Sequence, residues 1–163
     1  MFRRYGFRRA SVDAIAREAN VAKPTLYAYF ADKSALFRAI VEYEATEILA
    51  AARRAASSRK PAAERIADVL SAKFTRTWEL VHSSRHAAEL LDVKNALGAA
   101  AVAKLDHEFL ALLIEAIPSA KRARSLAQML MRAAAGAAYD ATTVAMHRKH
   151  LGELVRVILA GAG

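Results

Sequence analysis

The 163-residue chain has no cysteine, which excludes a disulfide framework, a thiolate zinc site and a cysteine nucleophile. Three prolines and six glycines are few interruptions for a chain of this length, and neither an alternating strand pattern nor an internal repeat runs through it. No apolar run reaches the ~18–20 residues needed to cross a bilayer. The first ten residues hold Arg3, Arg4, Arg8 and Arg9 and no apolar stretch of the kind a secretory leader needs. Also missing are a Gly-rich phosphate loop, a nucleophile elbow and a carboxylate pair held together by spacing. These absences lead us to expect a soluble, cytoplasmic, non-enzymatic chain with no catalytic residues, no cofactor and no membrane partner. Acidic residues are scarce, 16 against 25 basic, for a net charge of +9.

The positive excess is uneven. Residues 1–60 hold 12 basic and 6 acidic side chains, a net +6 of the +9. A basic head on a milder body suits binding of a polyanion at one end, nucleic acid before an acidic membrane surface. What fills the rest is Ala, Leu and other helix formers, so the fold class expected is all-α. At this length one or two small domains can bury a sizeable core.

Residues 11–37, SVDAIAREANVAKPTLYAYFADKSALF, organise the reading. Val12, Ile15, Ala16 and Ala19 recur at i, i+3, i+4 and i+7, one face of a helix. Ser11 precedes them as an N-cap and Asp13 adds negative charge at the positive end of the dipole. Asn20 tolerates the left-handed turn that ends a helix, and Pro24 fits the first turn of the next. On that second helix Leu26 and Phe30 point one way while Thr25, Tyr27 and Tyr29 point elsewhere. A helix, a short turn and a second helix with exposed hydroxyls make a helix-turn-helix, whose second helix enters the major groove of DNA. Lys23, Thr25, Tyr27 and Tyr29 supply donors for phosphates and base edges. Lys33 opens the following helix, where a cation opposes the dipole, a placement that a phosphate bound at that helix start would explain. A packed helical hairpin with a solvated polar face is the alternative from pattern alone.

These residues carry a resemblance. Ser11-Val12, Ile15-Ala16, Ala19, Val21, Lys23, Thr25-Leu26-Tyr27, Tyr29-Phe30, Lys33 and Leu36-Phe37, with Tyr5-Gly6-Phe7 before them, closely resemble the DNA-binding segment of the tetracycline-repressor (TetR) family of bacterial transcriptional regulators. The resemblance implies an all-helical homodimer that reads palindromic double-stranded DNA with an N-terminal domain and binds a small-molecule effector in a C-terminal one. It places Thr25, Tyr27, Tyr29 and Lys33 against DNA, Lys23 near the groove, and Ser11 and Arg17 at flanking phosphates. Three positions depart from the pattern. Asn20 stands where Gly is usual, and Ala22 where a capping Ser is common, a loss of roughly 1 kcal/mol. Only Met1 to Arg4 precede Tyr5-Gly6-Phe7, where a full helix is the family's habit. A truncated first helix ending at Gly6 is therefore expected. A helical ligand-binding or protein-interaction dimer that has lost DNA binding is the rival function. Arg3, Arg4, Arg8 and Arg9 read equally as a phosphate-binding arm or as a solubilising terminus.

The expected domains are 1–45, the DNA reader, and 46–163, an effector and dimerisation body. A long helix over 33–56 starts at the N-cap Asp32, and residues 57–61 form the first break. The next helix, 61–82, carries Phe74, Trp78 and His82 at intervals of four. With Phe109 and Tyr139 they are candidate ligand contacts, the indole N–H and His82 acting as polar handles, with ordinary core packing as the alternative. Helices over 87–97 and 99–117 follow. Glu89 and Asp92 read as surface charges. His82 with His86, and His147 with His150, have helical spacing but no third ligand, so no metal is expected. The last helices, 119–141 and 143–159, are the candidate dimer interface through Leu126, Leu130, Gly136, Leu151, Leu154, Val155 and Ile158.

Overall fold

A computed structural model describes residues 1–118 and 121–161, apart from the side chains of 138–140. The described residues contain helices and no strand: α1 Phe2–Arg9, α2 Val12–Glu18, α3 Lys23–Tyr29, α4 Lys33–Ala56, α5 Ala62–Ser83, α6 Ala87–Leu97, α7 Ala99–Ala116, α8 Ala123–Asp140 and α9 Val144–Ala160.

Their ends follow from local chemistry. The Ala14 N–H donates to Ser11 Oγ at 3.1 Å, the cap expected of that serine. Asn20 closes the first motif helix with φ 53°, the left-handed geometry that Asn tolerates. Asp32 caps α4, its Oδ1 accepting from the Ala35 N–H at 2.6 Å. Thr143 Oγ1 accepts from the Met146 N–H at 3.1 Å and starts α9. Gly98, between α6 and α7, leaves room for Val41: a Cβ there would lie 2.6 Å from Val41 Cγ1. One expected boundary changes. Gly6 does not end the first helix; it kinks it, with φ 78° and ψ 168°, and helical geometry resumes through Arg9.

The chain forms two compact units, each drawn from two stretches. The first, the head, comprises Met1–Ala45 and Leu80–Ala103. Its core centres on Phe37, Val41 and Leu90, with Phe2, Phe7, Leu80, Val93 and Leu97 against them. The Phe2 and Phe7 rings each meet Phe37 edge-on at 5.2 Å between centroids and stack on one another at 5.8 Å, geometries that aromatic quadrupoles favour.

The second unit, the body, comprises Thr46–Glu79 and Lys104–Gly163. Ile66, Leu70, Phe109, Leu113, Leu130 and Leu151 fill its interior, and Phe74 meets Phe109 edge-on at 6.4 Å. The residues expected at a dimer interface divide between this interior and the surface. Leu126, Leu130, Leu151 and Val155 are buried inside the chain itself and offer no face to a partner. Helices α8 and α9 pack on one another, and an apolar stripe in the sequence does not say which neighbour it meets. Leu154 and Ile158 remain half-exposed. Among the described residues no atom beyond its own helix backbone comes within 4 Å of the place a Cβ would take at Gly136, so no close approach between them accounts for this glycine. Val157 and Met129 are the most open large apolar side chains of α9 and α8 among the described residues, at 71% and 52% exposure.

Candidate nucleic-acid interface

Helix α3 buries none of its residues. Thr25 is exposed, as are Tyr27 and Tyr29, the latter at 78%. Leu26 and Phe30, the residues that tie α3 down, are only half-buried, and so are Val12 and Ile15 of α2. Seven residues without one buried side chain are far below the length at which a helix stands alone in water. The motif is held by its neighbours and by a bridge between its two helices: Lys23 Nζ lies 2.9 Å from the Asp13 carboxylate. The hydrogen bond and charge of Asp13 hold the Lys23 ammonium above its ordinary pKa. The same ammonium lies 5.9 Å from the Tyr27 ring centroid. Ser11 and Arg17 are exposed on α2, with the Ser11 hydroxyl accepting the capping hydrogen bond.

Lys33 is placed differently from the sequence expectation. Its Nζ donates to the carbonyl of Arg8 at 3.2 Å and of Ala10 at 3.0 Å, and lies 4.7 Å from the Phe7 ring centroid. The α4 N-terminus beside it is already capped by Asp32. The lysine at the helix start is thus explained by the carbonyls that end α1, whose partial negative charge a cation satisfies.

Two functional-looking residues were invisible in the sequence. Glu89, read there as a surface charge, accepts from the Arg8 N–H through Oε1 at 2.7 Å. Ser84 is buried; its hydroxyl donates to the Arg3 carbonyl at 2.6 Å and accepts from the His86 N–H at 3.1 Å. Both brace the kink at Gly6 from about eighty residues away, and no local spacing signals such a pairing.

Residues 1–40 match the sequence profile described as bacterial regulatory proteins, tetR family. The N-terminal segment is thus similar to the DNA-binding segment of tetR-family regulators. No curated protein matches the chain. Its fold is similar to that of the fatty acid degradation regulator FadR from Bacillus halodurans, with TM-score 0.67 and 17% identity over 96% of this chain and 91% of that one. It is also similar to the TetR family transcriptional regulator PfmR from Thermus thermophilus, with TM-score 0.64 and 15% identity over 98% of this chain and 92% of that one. The all-α fold with an N-terminal helix-turn-helix is therefore that of tetR-family proteins. No helix among the described residues is long and apolar enough to cross a membrane.

The candidate ligand residues divide. Phe74, Trp78 and Phe109 lie in the body's interior. The Trp78 N–H, expected to serve a ligand, donates to the Ala141 carbonyl at 2.8 Å, and its ring stacks on the fully buried His147 at 6.4 Å. His147 Nδ1 lies 3.2 Å from the Ala137 carbonyl. His82 is exposed and belongs to the head rather than the body. Tyr139 lies outside the described side chains. Lys73, unremarked in the sequence, pairs with Asp106 and reaches the rings of Phe74 and Phe109 at 5.3 and 5.5 Å, a cation held over two aromatic faces.

Proposed function

We propose that the protein is a DNA-binding transcriptional regulator of the tetR type, working as a homodimeric repressor. The observation that carries this reading is α3: a family-matched helix that buries nothing and exposes Thr25, Tyr27 and Tyr29. Two such helices related by a twofold axis would enter successive major grooves about 34–36 Å apart and read a palindrome. A small molecule held by the body would weaken DNA binding by its own preference for the non-binding conformation. Dimerisation falls to the open faces of α8 and α9, with Met129, Leu154, Val157 and Ile158, since the deeper leucines are committed to the chain's own core.

Anisotropy titration against fragments of the flanking chromosomal DNA, at two salt concentrations, tests the reading. Sequence-selective binding with a steep salt slope is expected. Weak, unselective binding that salt abolishes would instead leave a helical ligand-binding dimer without a reader.

A further inference from the structure

The head's positive charges are not equally available. Lys23 is paired with Asp13 and Lys33 with two carbonyls. Arg8 and Arg9 are exposed, and among the described residues neither guanidinium enters an ion pair. Their backbone, by contrast, is fastened. The Arg8 N–H donates to Glu89, the Arg8 and Ala10 carbonyls accept from Lys33, the Ala10 N–H donates to the Gly6 carbonyl at 3.3 Å, and Ala10 is buried. Two internal charges are thus used to fix one short stretch whose two arginine side chains enter no ion pair among the described residues. The stretch ends at Ser11, directly before the helix-turn-helix.

We propose that Arg8 and Arg9 form a fixed phosphate clamp at the entry to the helix-turn-helix. Glu89 and Lys33 serve it as positioning residues rather than as DNA contacts. The inference rests on the DNA-binding reading above. A guanidinium presents a planar fork of donors that matches phosphate oxygens. Holding its backbone in advance reduces the ordering cost of each contact. It also accounts for Glu89, a carboxylate set close to a polyanion-binding edge, where its charge alone would be unfavourable.

A labelled duplex of random sequence tests the clamp without any knowledge of an operator. Binding is measured by anisotropy across salt concentrations for the wild type, for Arg8→Gln/Arg9→Gln, and for Arg54→Gln/Arg59→Gln, which removes the same charge from the body at exposed positions outside α8 and α9. Each phosphate contact contributes about 0.9 to the slope of log K against log salt, so the first variant should lose about 1.8. The wild type's advantage over it should then shrink about twelvefold between about 50 and about 200 mM salt. The body variant should keep the wild-type slope, and Arg8→Lys/Arg9→Lys should keep most of it. Glu89→Ala separates position from charge. By charge alone it should bind more tightly; as loss of a positioning residue it should bind about threefold more weakly, with Glu89→Gln, which keeps an acceptor, at least as tight as wild type. Equal slopes in the two arginine double variants would overturn the clamp, and tighter binding by Glu89→Ala would overturn the positioning role. A wild type that binds no duplex even at low salt would overturn the DNA-binding reading itself, and the clamp with it.

Discussion

Gly6→Ala is the most exacting substitution for the head. At φ 78° and ψ 168° this residue occupies a region open essentially to glycine alone, which costs another residue about 1–3 kcal/mol. The new Cβ would also lie 2.3 Å from Glu89 Oε2 and 3.1 Å from His86 Nδ1. The carboxylate is the free end of a flexible side chain, so it can swing away. Doing so releases the Arg8 N–H, a hydrogen bond to a charged acceptor worth about 1 kcal/mol at so exposed a site. Together the loss is about 2–4 kcal/mol, a large share of a small unit's stability. Urea unfolding followed by far-ultraviolet circular dichroism, with amide exchange at Arg8 as the local probe, would measure it. The decisive comparison is with Glu89→Ala. In that background Gly6→Ala should cost only its backbone part, leaving a coupling of about 1 kcal/mol between the two sites. A cost below about 1 kcal/mol, or strictly additive losses, would refute the reasoning.

Lys33→Met should destabilise the head by about 1–3 kcal/mol through the unsatisfied α1 carbonyls, yet leave the salt slope of DNA binding unchanged; a slope smaller by about 0.9 would make Lys33 a phosphate contact after all. Val157→Asp should convert a dimer to monomers in light scattering while hardly changing the thermal stability of the monomer, whereas Leu151→Ala should cost about 2–5 kcal/mol in unfolding; a Val157→Asp dimer of undiminished affinity would exclude that face. Because Lys23 is held above its ordinary pKa of 10.5 by Asp13, the pair's stabilisation is complete below that pH and fades as pH rises through the raised value. Asp13→Asn should accordingly bring the Lys23 titration down in NMR, and no movement would count against the bridge in solution.

Local features of this chain were legible because local chemistry sets them. Ser11, Asp32 and Thr143 cap helices within three residues of themselves, and Asn20 turns where a left-handed residue is needed. The helices over 33–56 and 87–97 follow from uninterrupted helix formers bounded by such signals. Partners far along the chain were not legible. An apolar stripe such as Leu151 and Val155 is written identically whether it meets its own chain or another copy, and only the packed structure shows it inside. In the sequence Lys33 suggests a bound phosphate because its carbonyl partners lie more than twenty residues earlier. Glu89 had no visible purpose because Gly6 and Arg8 lie some eighty residues away.

The buried Trp78 has a practical consequence. It is the protein's single tryptophan and it sits in the body, whereas Tyr5, Tyr27, Tyr29 and Tyr43 of the head are all exposed. Indole emission therefore reports on the body alone, from a ring stacked on His147 and hydrogen-bonded to Ala141. Tyrosine signals weight the head. Trp78 thus marks the body, and four of the five tyrosines mark the head, so a titration with duplex or with small molecules can be followed from both sides without attaching a dye.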